Sequence, residues 1–90
     1  MIELTQNMNL LLVSSIVNDA DEIPYSSTNV LQIFRVRTET LNIPEARHGF
    51  LMNMYIDSNQ YAIQFLLLLG SVKIYHRSKQ SGIWGNWTEH

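Results

Sequence analysis

The chain has 90 residues, of which 46% are hydrophobic and 16% are charged, and its formal net charge is −2. This length suits one domain with a single modest core, and the weakly negative charge argues against nucleic-acid binding, which depends on clustered Lys and Arg. The sequence has no cysteine, which excludes disulfides and thiolate metal sites. Because few residues are charged, part of the apolar surplus is expected to meet other chains.

Residues 1–18 are predicted to form an N-terminal connector or oligomerising segment. Four of them have a heptad-like spacing that suits a short helix in a bundle, namely Leu4, Met8, Leu11 and Ser15. The run from Leu10 to Val13 is equally consistent with a strand or an irregular arm packed on the domain. The segment lacks the features of a signal peptide, and no apolar run approaches the ~20 residues that cross a bilayer. We therefore expect no membrane insertion.

An acidic loop precedes the first predicted strand. Residues 18–22 read Asn-Asp-Ala-Asp-Glu and are followed by Pro24 and a run rich in Ser, Thr and Asn, a composition typical of turns. The carboxylates could supply oxygen ligands to calcium, but the spacing lacks the glycine and the distal glutamate of an EF-hand loop. A solvated turn is the better interpretation.

Two segments in the middle of the chain have the alternation of half-buried strands. In residues 30–38, apolar positions alternate with Arg35 and Arg37, whose guanidinium groups are expected to face water, an acidic neighbour or a partner. In residues 50–56, one face carries Phe50, Met52, Met54 and Ile56, and the other carries Leu51, Asn53 and Tyr55. A loop around Pro44 joins the two strands, and a tight polar turn at residues 57–60 follows the second.

The stretch from Tyr61 to Trp87 is predicted to form three consecutive strands. The first is followed by Gly70-Ser71, which predicts a two-residue type II′ hairpin turn. In the second, Val72, Ile74 and His76 share one face, and Lys73, Tyr75 and Arg77 share the other. Residues 79–82 then form a polar turn, and residues 83–88 return as a last short strand.

The last strand carries Trp84 and Trp87, whose separation of three residues would place them on opposite faces of a regular strand. A bulge at Gly85 would instead turn both side chains the same way. The simpler interpretation buries both in the core, since tryptophan is highly buried on average. The alternative is an exposed platform for a sugar or for a neighbouring subunit.

Four to five strands joined by short turns predict a mainly β protein. We expect residues 19–90 to form one β domain, a small antiparallel sheet with meander connections. The N-terminal arm or short helix of residues 1–18 would precede it.

The sequence shows no constellation of catalytic residues. Its three histidines, His48, His76 and His90, do not have the spacing of a metal site, although a threefold axis could bring three copies of one histidine together. No serine lies in a Gly-x-Ser-x-Gly elbow, and the acids are not placed as the paired carboxylates of a glycosidase. We therefore predict that the protein is not an enzyme and has no catalytic residue, metal or cofactor.

The end of the chain carries a family signature. Residues 74–78 read IYHRS, and residues 82–87, after a polar turn, read GIWGNW. Together they resemble the closing strand and the Gly-x-Trp-x-x-Trp ending of the pyocin-knob family, which are small β domains of phage tail fibres, baseplate fibres and R-type pyocin fibres. Residues 42–44 (NIP) and Gln64 look like further features of that family.

The likeness runs over residues 23–87 and is strongest at the end. Two features depart from the family's pattern, the N-terminal segment and the leucine-rich run at residues 65–69. The run suggests a more buried strand, in keeping with a subunit contact.

The resemblance implies a homotrimeric module of a phage tail or baseplate fibre, located in the virion and assembled in the host cytoplasm. Its partners would be copies of itself, other tail or baseplate proteins and a host surface glycan. If a glycan binds here, the candidate residues are Trp84, Trp87, Tyr75, Tyr55, Arg77 and Arg35. The alternative is a free-standing, monomeric carbohydrate- or protein-binding module.

Overall fold

In this computed structural model, which describes residues 15–25 and 31–90, all regular structure is β. The described strands are β1 (Leu31–Val36), β2 (Gly49–Ile56), β3 (Ser58–Leu68), β4 (Ile74–Gln80), β5 (Ile83–Trp84) and β6 (Thr88–Glu89). They form one antiparallel sheet in the order β1-β2-β3-β4-β5, and β6 also pairs with β4. The predicted antiparallel meander is therefore confirmed. The described residues contain no helix that is long and apolar enough to span a membrane.

The start of the chain is described from Ser15 onward, so most of the helix or arm predicted for residues 1–18 lies outside the described residues. Residues 15–17 run parallel to the end of β1. The Arg35 N–H donates to the Ser15 carbonyl oxygen (2.9 Å), and the Val17 N–H donates to the Arg35 carbonyl oxygen (3.0 Å). The chain therefore extends the edge of the sheet before it turns onto one face.

The hydrophobic core lies between that face and residues 17–23. The segment contributes Val17, Ala20 and Ile23, and the strands contribute Val36, Leu51, Tyr55, Ala62, Leu66, Leu68 and Tyr75. Alternation along each strand places these side chains together, and we call this side of the sheet the covered face. Residues 18–22 are thus more than the solvated turn that their composition predicts, because Ala20 between the acids is fully buried.

The other side of the sheet is also apolar, and we call it the open face. Its half-buried residues include Leu31, Ile33, Met52, Met54, Ile63 and Phe65. Five further residues are 44–53% exposed, namely Phe50, Ile56, Tyr61, Leu67 and Ile74. The strand registers set these side chains next to one another, for example Met52 between Ile33 and Phe65. The predicted grouping of Phe50, Met52, Met54 and Ile56 on one face is confirmed by the alternation of burial in β2.

The loop between β3 and β4 differs from the predicted two-residue turn. The Ser71 N–H donates to the Leu68 carbonyl oxygen (3.1 Å), so Leu69 and Gly70 occupy the central positions. Gly70, with φ of 79°, is the second of these and not the first, which makes the type II′ prediction wrong. The loop continues to β4, and Val72 lies in it with 99% of its surface exposed.

The turn between β2 and β3 is shorter than the predicted residues 57–60. Strand β3 begins at Ser58, and Asp57 alone separates it from β2. Asp57 has a φ of 65°, a left-handed conformation that aspartate tolerates better than most residues. The pairing register shifts between Tyr55 and Ile56, and this irregularity lets so short a connection reverse the chain.

Candidate functional site

Arg77 is the centre of the most elaborate cluster on the covered face. Its side chain is 5% exposed, and its Nε donates to Gln64 Oε1 at 2.7 Å. Its Nη2 lies 2.7 Å from Asp21 Oδ1, an ion pair held by charge and not by an aligned hydrogen bond. The guanidinium carbon lies 4.2 Å from the ring centroid of Trp84 and 4.5 Å from that of Trp87. Arg77 therefore fastens the acidic loop and both tryptophans to strand β4.

A bulge explains why both tryptophans reach Arg77. Lys79 pairs with Trp84, whereas His76 pairs with Thr88, so the register between these pairs shifts by one residue. One extra residue reverses the alternation of side chains, which brings Trp87 to the same face as Trp84. The sequence allowed either a regular strand with the tryptophans on opposite faces or a bulge near Gly85 with both on one face. The structure has the bulge.

A row of buried polar side chains crosses the sheet from Arg77, and we call it the polar ladder. Gln64 Nε2 donates to Asn53 Oδ1 (3.0 Å), and Asn53 Nδ2 donates to Gln32 Oε1 (3.1 Å). Gln32 Nε2 in turn donates to the Pro24 carbonyl oxygen (3.1 Å). One residue from each of β4, β3, β2 and β1 takes part, and all four are at most 7% exposed. The ladder joins the four strands to the segment that covers them.

Sequence reasoning found only part of this ladder. Gln64 stood out through the family resemblance and Arg77 as a candidate surface contact, while Gln32 and Asn53 were missed. Their positions in the strands could have identified them. Gln32 points to the same side of β1 as the buried Val36, and Asn53 points to the same side of β2 as the buried Leu51. Buried amides need partners, and amides at matching phases on neighbouring strands can supply them.

The six predicted contact residues do not form one site. Tyr55 and Tyr75 are 8% and 5% exposed, so with Arg77 they lie inside the molecule and present little surface to a ligand. Arg35 is exposed, but it lies on the open face, where it pairs across the strands with Phe50 of β2. The six residues are thus divided between the two faces of the sheet.

The two tryptophans are half-buried, and each holds a loop through its indole N–H. Trp84 Nε1 donates to the Asp21 carbonyl oxygen (3.4 Å), and Trp87 Nε1 donates to that of Asn42 (2.9 Å). Both rings pack against the core cluster. Their geometry fits the core interpretation more closely than that of an exposed platform.

The two buried tyrosines also fasten loops to the sheet. The Tyr55 hydroxyl donates to the Ile23 carbonyl oxygen, and the Tyr75 hydroxyl donates to Glu45 Oε2. Burial raises the pKa of Tyr55. The hydrogen bond between Tyr75 and Glu45 raises the pKa of the tyrosine and lowers that of the carboxyl, because it favours the ionised carboxylate beside a neutral phenol.

The Glu45 contact predicts a pH dependence of stability. A carboxyl whose pKa is lower in the folded state stabilises the fold above its ordinary pKa of 4.5, and this contribution is lost as the pH falls through the lowered value. Glu45→Gln keeps an acceptor for Tyr75 but removes the charge. We expect the wild type to be the more stable protein at neutral pH and the difference to shrink on acidification, measured by urea denaturation across that range. A difference that stays constant with pH would contradict this assignment.

A shallow cavity of about 270 Å³ lies at the end of the sheet where β1 and β3 finish and β2 begins. Arg35, Arg37 and His48 supply its polar wall, and Val36, Phe50 and Leu69 supply its apolar wall. Phe50 and Leu69 are 53% and 76% exposed. The cavity therefore offers cationic and apolar groups side by side at the margin of the open face.

His76 and His90 meet on the open face. His76 Nδ1 and His90 Nε2 lie 2.7 Å apart, and the ring centroids are separated by 4.6 Å. An N–H of one ring that donates to the nitrogen of the other accounts for this contact. In the part of the chain that the structure describes, no group of three or more His, Asp or Glu side chains is placed to hold a metal ion.

Comparisons with protein-family models, with curated proteins and with solved structures find no match to this chain. The resemblance to the pyocin-knob family therefore stays a prediction, and function has to be argued from the geometry.

Proposed function

We propose that this chain is a structural and binding module of a phage tail or baseplate fibre, and that it forms a homotrimer through its open face. The observation that carries the proposal is the second apolar face of the sheet, which residues 17–23 leave uncovered because they pack on the opposite side. The family resemblance supplies the phage context. In that role the partners are copies of the chain itself and other tail or baseplate proteins, the location is the virion, and a host surface glycan is the external target.

The size of the open face supports self-association. Four of its five half-exposed residues, Ile56, Tyr61, Leu67 and Ile74, do not line the cavity and present roughly 350 Å² of apolar surface, since a fully exposed large side chain presents about 150–250 Å². Patches of about 300–600 Å² are the largest found on typical monomers and are often functional. At about 25 cal/mol per Å², burying this area contributes roughly 9 kcal/mol per copy. That value is of the same order as the ~4–15 kcal/mol that association costs through lost translational and rotational freedom.

The chemistry of the open face favours a second copy over a charged partner. Apolar side chains occupy its centre, from Ile33 through Met52 to Phe65, and Arg35 lies at the end of β1. An apolar face can pack against the apolar face of another copy. When one part of the face contacts a different part of the next copy's face, these head-to-tail contacts repeat and can close into a ring. Three copies in such a ring can bury their open faces around a common axis.

Native mass in solution tests the assembly. We expect a stable trimer for the wild type and a folded monomer for Met52→Lys, because a charge at the centre of a buried interface has no partner there. In the monomer the same lysine can extend its amine to water. Light scattering or native mass spectrometry across a concentration range gives the mass, and circular dichroism confirms that the variant is folded.

Two further variants make this test specific. Ile74→Lys, at the edge of the open face, should also weaken the trimer and is less able to disturb the fold, since Ile74 is already 45% exposed. Val72→Lys makes the same apolar-to-cation change in the exposed loop and should leave the mass unchanged. A wild type that is monomeric at every concentration, or a Met52→Lys protein that remains trimeric, would overturn the proposal.

The runner-up is a free-standing, monomeric carbohydrate- or protein-binding module. The cavity beside Arg37 and Phe50 favours it, because the cavity needs no second copy to exist. A monomeric wild type with saturable ligand affinity would support this alternative.

A further inference from the structure

The cavity at the end of the sheet combines two kinds of recognition group. Arg37 and His48 lie just outside β1 and β2, where the strands end and the side chains are exposed. Phe50 and Leu69 stand beside them with at least half of their surface in water. Small-molecule sites are typically apolar with a few placed polar groups, and this cavity has that composition on a modest scale.

The charge at this end of the molecule is positive although the chain as a whole is negative. Arg35 and Arg37 account for two of the six Lys and Arg residues, and the His48 ring beside them can donate a hydrogen bond. The described acids near this end are Glu45, which is paired with Arg47 beside Leu69, and Glu39. The pKa of Glu39 is lowered mainly by hydrogen bonds from its own backbone and from Thr38, and to a smaller extent by the charges of Arg37 and His48. The charge of Arg37 therefore acts on a carboxylate near the cavity.

We propose that this cavity binds the carboxylate of an acidic saccharide, such as a uronic or sialic acid residue. Arg37 would hold the carboxylate through paired N–H groups, a geometry that guanidinium matches. His48 would donate a further hydrogen bond, and Arg35 would add positive charge to the same wall. The C–H face of the sugar ring would pack on Phe50 and Leu69.

The inference rests on the proposed function for the source of the sugar, a host surface, but not for the chemistry of the site. An acidic saccharide fits better than an acidic peptide because the cavity is short and shallow. The exposed part of its apolar wall consists of two side chains, Phe50 and Leu69, because Val36 is buried. It accommodates one ring, whereas a peptide would need a groove that continues along the sheet.

Titration of the 90-residue chain with sialyllactose and with lactose tests the site, followed by NMR or by calorimetry. We expect saturable binding of the acidic sugar and much weaker binding of the neutral one. Arg37→Gln should weaken binding of sialyllactose by about tenfold or more, the value of a charge-assisted hydrogen bond. Glu39→Gln should strengthen it by up to about threefold, because it removes a negative charge that acts on the same cations and repels the ligand's carboxylate. A glucuronic acid disaccharide serves as a second acidic probe.

The opposite signs of the two variants separate this site from general attraction to a charged surface. Lys79→Gln removes a positive charge from the covered face and should leave the affinity unchanged. Equal binding of sialyllactose and lactose would overturn the inference, as would equal losses in Arg37→Gln and Lys79→Gln. Tighter binding of an acidic peptide than of either acidic sugar would also overturn it.

The outcomes for the site and for assembly are independent. A trimer that binds none of the acidic sugars overturns the saccharide site and leaves the fibre module standing. A monomer that binds sialyllactose through Arg37 supports the site and overturns the homotrimeric fibre module.

Discussion

Replacing Arg77 with leucine is expected to destabilise the fold by about 3 kcal/mol. Breaking a buried ion pair costs about 3–5 kcal/mol, and the lower value applies here because Asp21 is partly exposed. The change removes the partner of Asp21 and of Gln64 Oε1 at once. It also removes the cation between the two indole rings. Leucine fills part of the volume but satisfies none of these groups.

Urea denaturation followed by tryptophan fluorescence measures this loss, since both tryptophans contact Arg77. Arg77→Lys should also be destabilising, because an ammonium group keeps the charge but cannot reproduce the planar contacts with both rings. Lys79→Leu is the matched control. Lys79 lies two residues further along β4, and its Nζ is 5.6 Å from the ring centroid of Trp84. Its effect should be below about 1 kcal/mol. Similar losses at both positions would show that Arg77 has no special role.

Gly49→Ala is expected to destabilise the protein by about 3 kcal/mol, through overpacking of the sheet. A methyl group at Gly49 would lie 2.1 Å from the Leu67 carbonyl oxygen and 2.9 Å from Leu68 Cα. Both are backbone atoms of the neighbouring strand, so relief requires β2 and β3 to separate where they pair. A flexible side chain could move aside, but a paired strand cannot without losing hydrogen bonds.

Gly85→Ala is the control for this prediction. The nearest atom to a methyl group there is the Ser78 carbonyl oxygen at 3.5 Å, an ordinary contact. Its stability should change by about 0.5 kcal/mol or less. Thermal or urea denaturation of both variants decides the matter, and the prediction fails if alanine is tolerated equally at the two positions.

The strand alternation in the sequence was enough to predict an antiparallel β sheet and the grouping of side chains on each strand. It was not enough to predict which face is covered. Phe50, Met52, Met54 and Ile56 make the more apolar side of β2, yet none of the described segments packs on this side, while Asn53 is fully buried on the other. The number of apolar residues on each face of a strand does not reveal on which face a distant segment packs. Here residues 17–23 pack on the face that carries Asn53, and this packing determines which face is covered.

The candidate contact residues show the same limit. Tyr55, Tyr75 and Arg77 have polar tips and looked suited to a surface, but their partners come from loops 30 or more residues away, apart from Gln64. Such pairings depend on tertiary packing and leave no local pattern. The cavity beside Arg37 was equally hidden, because it forms only where the ends of three strands meet.

Turn geometry was the least predictable feature. The glycine at position 70 indicated a turn, but it did not show which position of the turn it occupies. At the other end, the separation of Trp84 and Trp87 left two arrangements open, and the extra residue of the bulge decided between them.

The polar ladder has a consequence for how the strands find their alignment. Both faces of the sheet are rich in interchangeable apolar side chains, so apolar contacts alone discriminate poorly between correct pairing and a slipped one. Sliding one strand by a single residue would turn its ladder side chain to the opposite face. The amides left behind would lose their partners, at a cost of about 1–3 kcal/mol for each buried group. The ladder therefore acts as a register lock, which lets the sheet keep two apolar faces and still settle on one alignment.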